Sequence, residues 1–459
     1  MAGLRSGLPF SIANLRSAQR HAGSVPAMSS RTRTSLRLVL ALACLAATLT
    51  GTPHTASAAL PPDLWAGTTA DFYVVPDPLP PGEPGDIIRL QLISQTGGAT
   101  TLRVMYHSRD AADRDRAVTG IITYPDATPP PGGWPVVSTA NGTSGMASQC
   151  ALSRYNQPAS TWGMQGVGVN TDYIGLGPVG ELHPYLSRIS EAHSVIDAVR
   201  AARNIEETGA GNRWLAIGGS QGGHAAIATN ELAGSWAPEL DLVGTVALAP
   251  GAMFDRTYGG VDDIIARVIG VMMLYGAATE HPELIPTDYV SPQVASAADG
   301  VLPTGCLNDI AAALAPLPAE TYWTNDPRVT EPARSIMLAN DVGNVASASP
   351  LLVVQGTADT TVLVDRTRDL FDRLCTTAQL TEYTEYEGAT HDDIGVQASQ
   401  QIREWVADRF AGAALTDTCP QLEEPTPPPT DPPRSPPTTA AAAENNATTR
   451  PAVSPRLAG

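Results

Sequence analysis

The chain has 459 residues, with 28 basic against 46 acidic side chains and a formal net charge of −18; every basic residue is Arg, because the sequence contains no Lys. Without an amine side chain there is no Schiff-base or pyridoxal-phosphate lysine and no phosphate-gripping Lys of a P-loop, and the acidic balance argues against nucleic acid as a partner. Hydrophobic residues make up 43% of the chain, enough for a packed core.

Residues 1–58 read as an export signal. Arg31, Arg33 and Arg37 precede an apolar run from Leu38 to Leu49, and Ala56-Ser57-Ala58 is a small-residue cleavage site. The run is too short to anchor in a bilayer, so no transmembrane segment is expected once the signal is removed. Met28 would open a signal of ordinary length, and the true start is expected there. Loss of 1–58 takes away six Arg and no acid, leaving 22 Arg against 46 acids and a net charge of −24. Residues 420–459 are rich in Pro, Thr and Ala and cannot bury enough apolar surface to fold, so they are expected to be a flexible tail. The folded body is then 59–419.

Within the body, IRLQLIS, TLRVMYHS and AVTGIITYP (88–124) alternate apolar and polar residues and predict antiparallel strands of an edge meander. WPVVSTANG and GVGVNTDY predict two further strands, and a helix is expected from about Pro184 to Asn204. Next come the strand RWLAIGG, a helix from Gln221, and the strand LVGTVALAP. Towards the end, LLVVQG precedes a helix over 363–374, TEYTEYEG is a strand, and 394–410 is a helix. Short apolar strands alternating with helices predict a mostly parallel sheet covered on both faces. Residues 251–345 break the alternation: they hold helical pieces but no clear strand, and are expected to form an inserted cap or lid. There Ile264, Ile265, Val268, Ile269, Met272 and Met273 recur at helical spacing, either as a core face or as an apolar ceiling over a binding cleft.

Four cysteines follow residue 58: Cys150, Cys306, Cys375 and Cys419. An even count in an exported chain favours two disulfides, with three possible pairings, and sequence order suggests Cys150–Cys306 and Cys375–Cys419. No Cys or His lies at zinc-ligand spacing, so no metal is expected.

Gly218-Gly219-Ser220-Gln221-Gly222 is a G-x-S-x-G motif. Alone it is weak, but an apolar strand, Trp214 to Ile217, runs into it and a helix pattern runs out. That strand–turn–helix context is what a nucleophile elbow needs: the turn exposes the Ser and aims the first helix amides at a developing oxyanion. Ser220 is the expected nucleophile, and Gln221 the expected backbone oxyanion donor. An acid and a base should follow in that order. Asp359 lies just past the strand LLVVQG, with an Asx-turn or helix cap as its competing role; Asp365 suits the capping role better. His391, in YEGATHDD, is the only His after residue 281 and so the only candidate base. The second oxyanion donor is expected from the loop 138–145, at Thr143, where Gly142 permits close backbone approach.

Several segments together resemble the secretory lipase family of α/β-hydrolases over roughly 60–419. They are Asn141-Gly142-Thr143-Ser144-Gly145 with Cys150, Asp172-Tyr173-Ile174-Gly175-Leu176-Gly177, Leu182-His183-Pro184-Tyr185, the run SEAHSVIDAVRAARN, the elbow, Gly356-Thr357-Ala358-Asp359 and Thr390-His391. The resemblance implies an α/β-hydrolase fold with a helical lid, a Ser220–Asp359–His391 triad, two disulfides and hydrolysis of acylglycerols or other carboxylic esters. No cofactor is implied, and the expected partner is a small-molecule or lipid ester, met at a lipid–water interface. The chain departs from the family pattern at Asn141, where relatives often carry His. Asp172 receives no chemical role and is read as a strand-end residue supporting the elbow. A short-chain carboxylesterase or a serine aminopeptidase would use the same triad, and a non-catalytic wall-binding protein on the same scaffold is the rival from another class.

Overall fold

The computed structural model describes residues 60–61, 63–257 and 264–420. The expected leader (1–58) and, apart from Pro420, the expected tail lie outside them. A short helix, α1 (Thr69–Phe72), precedes strands β1 (Ile87–Thr96), β2 (Ala99–Arg109) and β3 (Asp115–Pro125), which pair antiparallel as the alternation predicts. Then follow β4 (Trp134–Ala140), β5 (Val167–Thr171), α2 (Arg188–Arg203), β6 (Ala210–Gly219), α3 (Gln221–Trp236) and β7 (Asp241–Leu248). The single sheet has nine strands among the described residues, in the order β1-β2-β3-β5-β4-β6-β7-β8-β9, with β8 at Leu351–Gly356 and β9 at Thr381–Tyr386. From β5 to β9 every pairing is parallel. Helix α9 (Val364–Thr376) connects β8 to β9, and α10 (Ile394–Gln397) and α11 (Ser399–Ala411) follow.

Strand β8 (LLVVQG) is buried at every position because both of its faces are covered, whereas the edge strand β9 (TEYTEY) is polar and half-buried. Side chains alternate across the sheet. Val137, Leu215, Ile217, Val246, Leu352 and Val354 pack with Ile402, Trp405 and Val406 of α11. On the other face, Val136, Trp214 and Ala216 pack with Val195, Ile196 and Val199 of α2, while Leu351 and Val353 meet Leu370 and Leu374 of α9.

Between β7 and β8 the described residues contain helices and no sheet strand: α4 (Phe254–Thr257), α5 (Ile264–Ala277), α6 (Pro292–Val301), α7 (Leu307–Leu314) and α8 (Ala333–Ala339). These helices share a separate core, in which Val268, Ile269, Met272 and Met273 pack with Val294, Ile310 and Met337, and with Met146, Tyr185 and Leu186 from outside the segment. Those four members of the Ile/Met stripe are therefore core, whereas Ile264 is exposed.

Three expectations are corrected. The helix expected from Pro184 starts at Arg188, because Leu186 adopts φ 58, a left-handed conformation that a right-handed helix cannot contain. The helix over 394–410 is two pieces that meet at Ala398. Asp365 lies in the first turn of α9 but does not cap it; the N-cap is Leu363, which makes no side-chain bond there. The suggested cysteine pairs both form, Cys150–Cys306 and Cys375–Cys419.

Candidate active site

Strand β6 ends at Gly219, and α3 begins at Gln221, so Ser220 alone makes the turn. Its φ of 59 and ψ of −118 place a non-glycine residue in a strained region, a cost on the order of 1–3 kcal/mol. Neighbouring backbone holds it there: Ser220 N–H donates to Leu248 O at 2.9 Å, and Ser220 O accepts from Gly251 N at 3.0 Å and His224 N at 3.1 Å. The glycines are required by crowding. A Cβ on Gly218 would lie 2.1 Å from Gly222 O, and one on Gly222 would lie 2.0 Å from Ala140 O. The elbow is thus wedged against the end of β4, and the loop that leaves β4 passes beside it.

Asp359 and His391 come together although they lie on separate loops, after β8 and β9. His391 Nδ1 is 2.7 Å from Asp359 Oδ2. Asp359 is buried, and its other oxygen accepts from Thr361 N and Val362 N, both at 2.8 Å. The Asx-turn and the His contact are therefore not alternatives: one oxygen fixes the loop and the other faces the imidazole. Gln355 Nε2 adds a bond to Oδ2 at 3.2 Å. With Nδ1 facing the carboxylate, Nε2 is the ring nitrogen left for chemistry. Ser220, Asp359 and His391 all follow carboxyl ends of parallel strands, where α/β sheets place their ligands.

The loop after β4 is fixed from below. Asn141 Nδ2 donates to Thr171 O at 2.7 Å, and Tyr173 OH donates to Asn141 O at 2.9 Å. Thr143 Oγ1 shares a hydrogen bond with Tyr185 OH at 2.7 Å. Gly142 Cα faces the elbow; a Cβ there would lie 3.4 Å from Gly219 O. Further along, Leu307 N donates to Ser144 O at 2.9 Å, and the Cys150–Cys306 disulfide ties the same region to the start of α7.

Asp172 does not support the elbow. Its carboxylate accepts from Thr119 Oγ1 at 2.6 Å and Ser153 N at 2.9 Å, so it joins β3 to the turns after β4. Burial raises its pKa, and those hydrogen bonds only partly offset it.

Beneath the elbow lies a polar group that no motif announced. Gln221 Nε2 is 2.7 Å from Glu191 Oε1 and 2.7 Å from His183 Nε2. His183 Nδ1 is 2.7 Å from Ile174 O, and His224 Nε2 is 2.8 Å from Asn340 O. Carbonyls can only accept, so both of those nitrogens carry hydrogen. His183 is thereby neutral at Nε2 and accepts from Gln221. His224 Nδ1 faces Glu191 Oε2 at 2.8 Å, which makes His224 an imidazolium paired with a carboxylate. Burial opposes charge on both, but Glu191 is held below the usual carboxylate range by the hydrogen-bonded His224 imidazolium, and His224 is raised by Glu191. Glu191 and His183 sit in segments quoted above for their resemblance alone; the signal that could have singled out Glu191 was charge on a helix position buried on every side, whereas His183 lies before α2.

A model of the secretory lipase family matches residues 163–418. A secreted triacylglycerol lipase of Malassezia globosa is 23% identical over 257 residues, covering 52% of this chain and 53% of its own length. The chain thus spans about half the length of that curated relative. Among solved structures, Candida antarctica lipase A matches with TM-score 0.64 and 17% identity over 77% of this chain and 88% of its own. The rice cell wall degrading esterase of Xanthomonas oryzae matches with TM-score 0.58 and 17% identity over 72% and 98%. These likenesses show the α/β-hydrolase fold.

Proposed function

Since the chain belongs to the secretory lipase family, we propose that it is a secreted carboxylic ester hydrolase that cleaves acylglycerols through Ser220, His391 and Asp359. The observation that carries this reading is the pairing of His391 with buried Asp359 at 2.7 Å, on loops that leave carboxyl ends of the same sheet as the elbow that holds Ser220 at positive φ. The two disulfides fit an oxidising, extracellular setting. Among the described residues no helix is long and apolar enough to cross a membrane.

Ser220 Oγ attacks the ester carbonyl carbon while His391 Nε2 takes its proton. The carbonyl oxygen becomes an oxyanion that accepts from the Gln221 backbone N–H and from the loop at Thr143. Gln221 opens α3, so its N–H has no partner within the helix and lies at the positive end of the helix dipole. The tetrahedral intermediate collapses, the C–O bond breaks, and His391 returns the proton to the leaving alcohol. Water then attacks the acyl-enzyme with His391 again as base, and release of the carboxylic acid restores Ser220. Asp359 holds the imidazole by Nδ1 and stabilises its charged form. The apolar helices between β7 and β8 form a cap over the acyl chain, which suits a substrate met at a lipid–water interface.

Hydrolysis of p-nitrophenyl esters from acetate to palmitate tests this, with Ser220→Ala alongside. Turnover of the longer esters should fall by about 10⁴-fold or more in the variant. Activity confined to acetate and butyrate would remove the acylglycerol assignment but keep the ester chemistry. Turnover that survives Ser220→Ala would remove both.

A further inference from the structure

We propose that Glu191, His183 and His224 are positioning residues that fix the Gln221 backbone N–H for the oxyanion, a proposal that rests on reading Ser220 as the nucleophile. The Gln221 side chain is anchored at both of its amide hydrogens, with Nε2 2.7 Å from each acceptor. Its carbonyl oxygen Oε1 is buried and finds no partner among the described residues. A buried, unsatisfied acceptor costs about 1–3 kcal/mol, so an apolar side chain would serve stability better at this position. A buried ion pair is likewise a poor source of stability when set against apolar packing. Neither cost is explained by holding the fold together. Both are explained if the first turn of α3 must not rotate.

The anchors come from three directions. Glu191 Oε1 also accepts from Leu186 N at 3.0 Å, which fixes the acceptor that Gln221 uses. His183 is held by Ile174 O and stacks on Tyr173 with ring centroids 5.5 Å apart. His224 lies one turn into α3, bonded on one side to Glu191 and on the other to Asn340 O, at the end of α8. The elbow is thus tied to the core beneath it and to the helical segment between β7 and β8. An oxyanion donor displaced by a fraction of an ångström loses much of its effect, because the bond must be strongest in the transition state.

The experiment uses the full secreted chain, p-nitrophenyl butyrate, and a fluorophosphonate probe to count active Ser220. Gln221→Met keeps the backbone N–H and the side-chain length but removes both anchors. We expect kcat per labelled serine to fall about tenfold, with KM within twofold of the parent. His183→Phe keeps the ring beside Tyr173 but removes the acceptor, and should lower kcat about threefold, because Glu191 still holds Gln221. Glu191→Gln retains an acceptor oxygen and should keep more kcat than Glu191→Leu. Parental kcat per labelled serine in either Gln221→Met or His183→Phe overturns the positioning role, even if thermal stability drops. A parent chain that neither labels at Ser220 nor turns over would instead sink the hydrolase reading, and this proposal with it.

Discussion

Helix α2 carries two fully buried carboxylates, Glu191 near its start and Asp197 about two turns later, and their pKa values move in opposite directions. Glu191 stays charged, its pKa held below the usual range by the neighbouring His224 imidazolium against the effect of burial. At Asp197 burial wins: its pKa is raised to about 6, despite bonds from Ser108, Trp236 and Arg200. The cause is the counter-ion. His224 is itself buried and bonded to Glu191, with only a backbone carbonyl on its other side. Arg200 divides its hydrogens among Asp197, Glu239 and Trp236 O. The amino-terminal ends of α2 and α3 meet at Glu191 and Gln221, whereas Asp197 meets the last residue of α3, Trp236. A buried acid is held ionised where the chemistry is proposed, whereas the one at the far end takes up its proton as pH falls through about 6.

Removing each acid should separate the two regions most sharply. Glu191→Leu strands the His224 charge and should cost about 3–5 kcal/mol in urea unfolding at neutral pH. A cost equal to that of Asp197→Leu would break the comparison.

The next largest effect is in pH dependence. Asp197 has its pKa raised from 3.8 to about 6, so its contribution to stability is present below 3.8 and lost as pH rises through 6. His193, stacked on Trp236, has its pKa lowered from 6.5 to about 4, chiefly by burial. Its contribution is present above 6.5 and lost as pH falls through 4. The two slopes oppose each other across the acid range. Asp197→Asn leaves His193 unopposed and should make stability fall, relative to the parent, by about 2 kcal/mol as pH drops from 6.5 to 4, the contribution that Asp197 supplies. His193→Phe should do the reverse, with stability rising as pH drops from 6 towards 4. Melting temperatures across that range read both, and parallel curves for parent and variants would refute the assignment. The smallest effect is Asp197→Asn at pH 5, where the acid is mostly protonated and the amide resembles it. The change should stay within about 1 kcal/mol, with kcat on p-nitrophenyl esters unchanged.

The same contrast shows what a sequence can and cannot disclose. Ser220 was legible because its setting is local: a strand before it, a helix after it, and glycines where side chains would collide. Asp359 and His391 were legible from chain order and strand ends. Gln221 was chosen for its backbone, and nothing local revealed that its side chain is tied down as well. Glu191 and His224 meet only because α2 packs on α3, and His183 joins them from the turn before α2; a helix buried around most of its circumference has no amphipathic stripe to mark which polar residues face a site. Asp172 misled for the same reason: a strand-end acid looks the same whether it meets the elbow or Thr119. The helix start was misplaced because nothing in Pro184-Tyr185-Leu186 signals a left-handed leucine.

The disulfides carry a consequence for how the protein is made. Cys150 joins the next cysteine, Cys306, and Cys375 joins the next, Cys419. A chain threaded through a membrane amino-terminus first therefore offers each arriving partner a single waiting thiol. Cys306 finds Cys150, and that bond can close before Cys375 emerges. The native connectivity is the one an oxidant makes in order of arrival, so closure in chain order yields the native pairs directly.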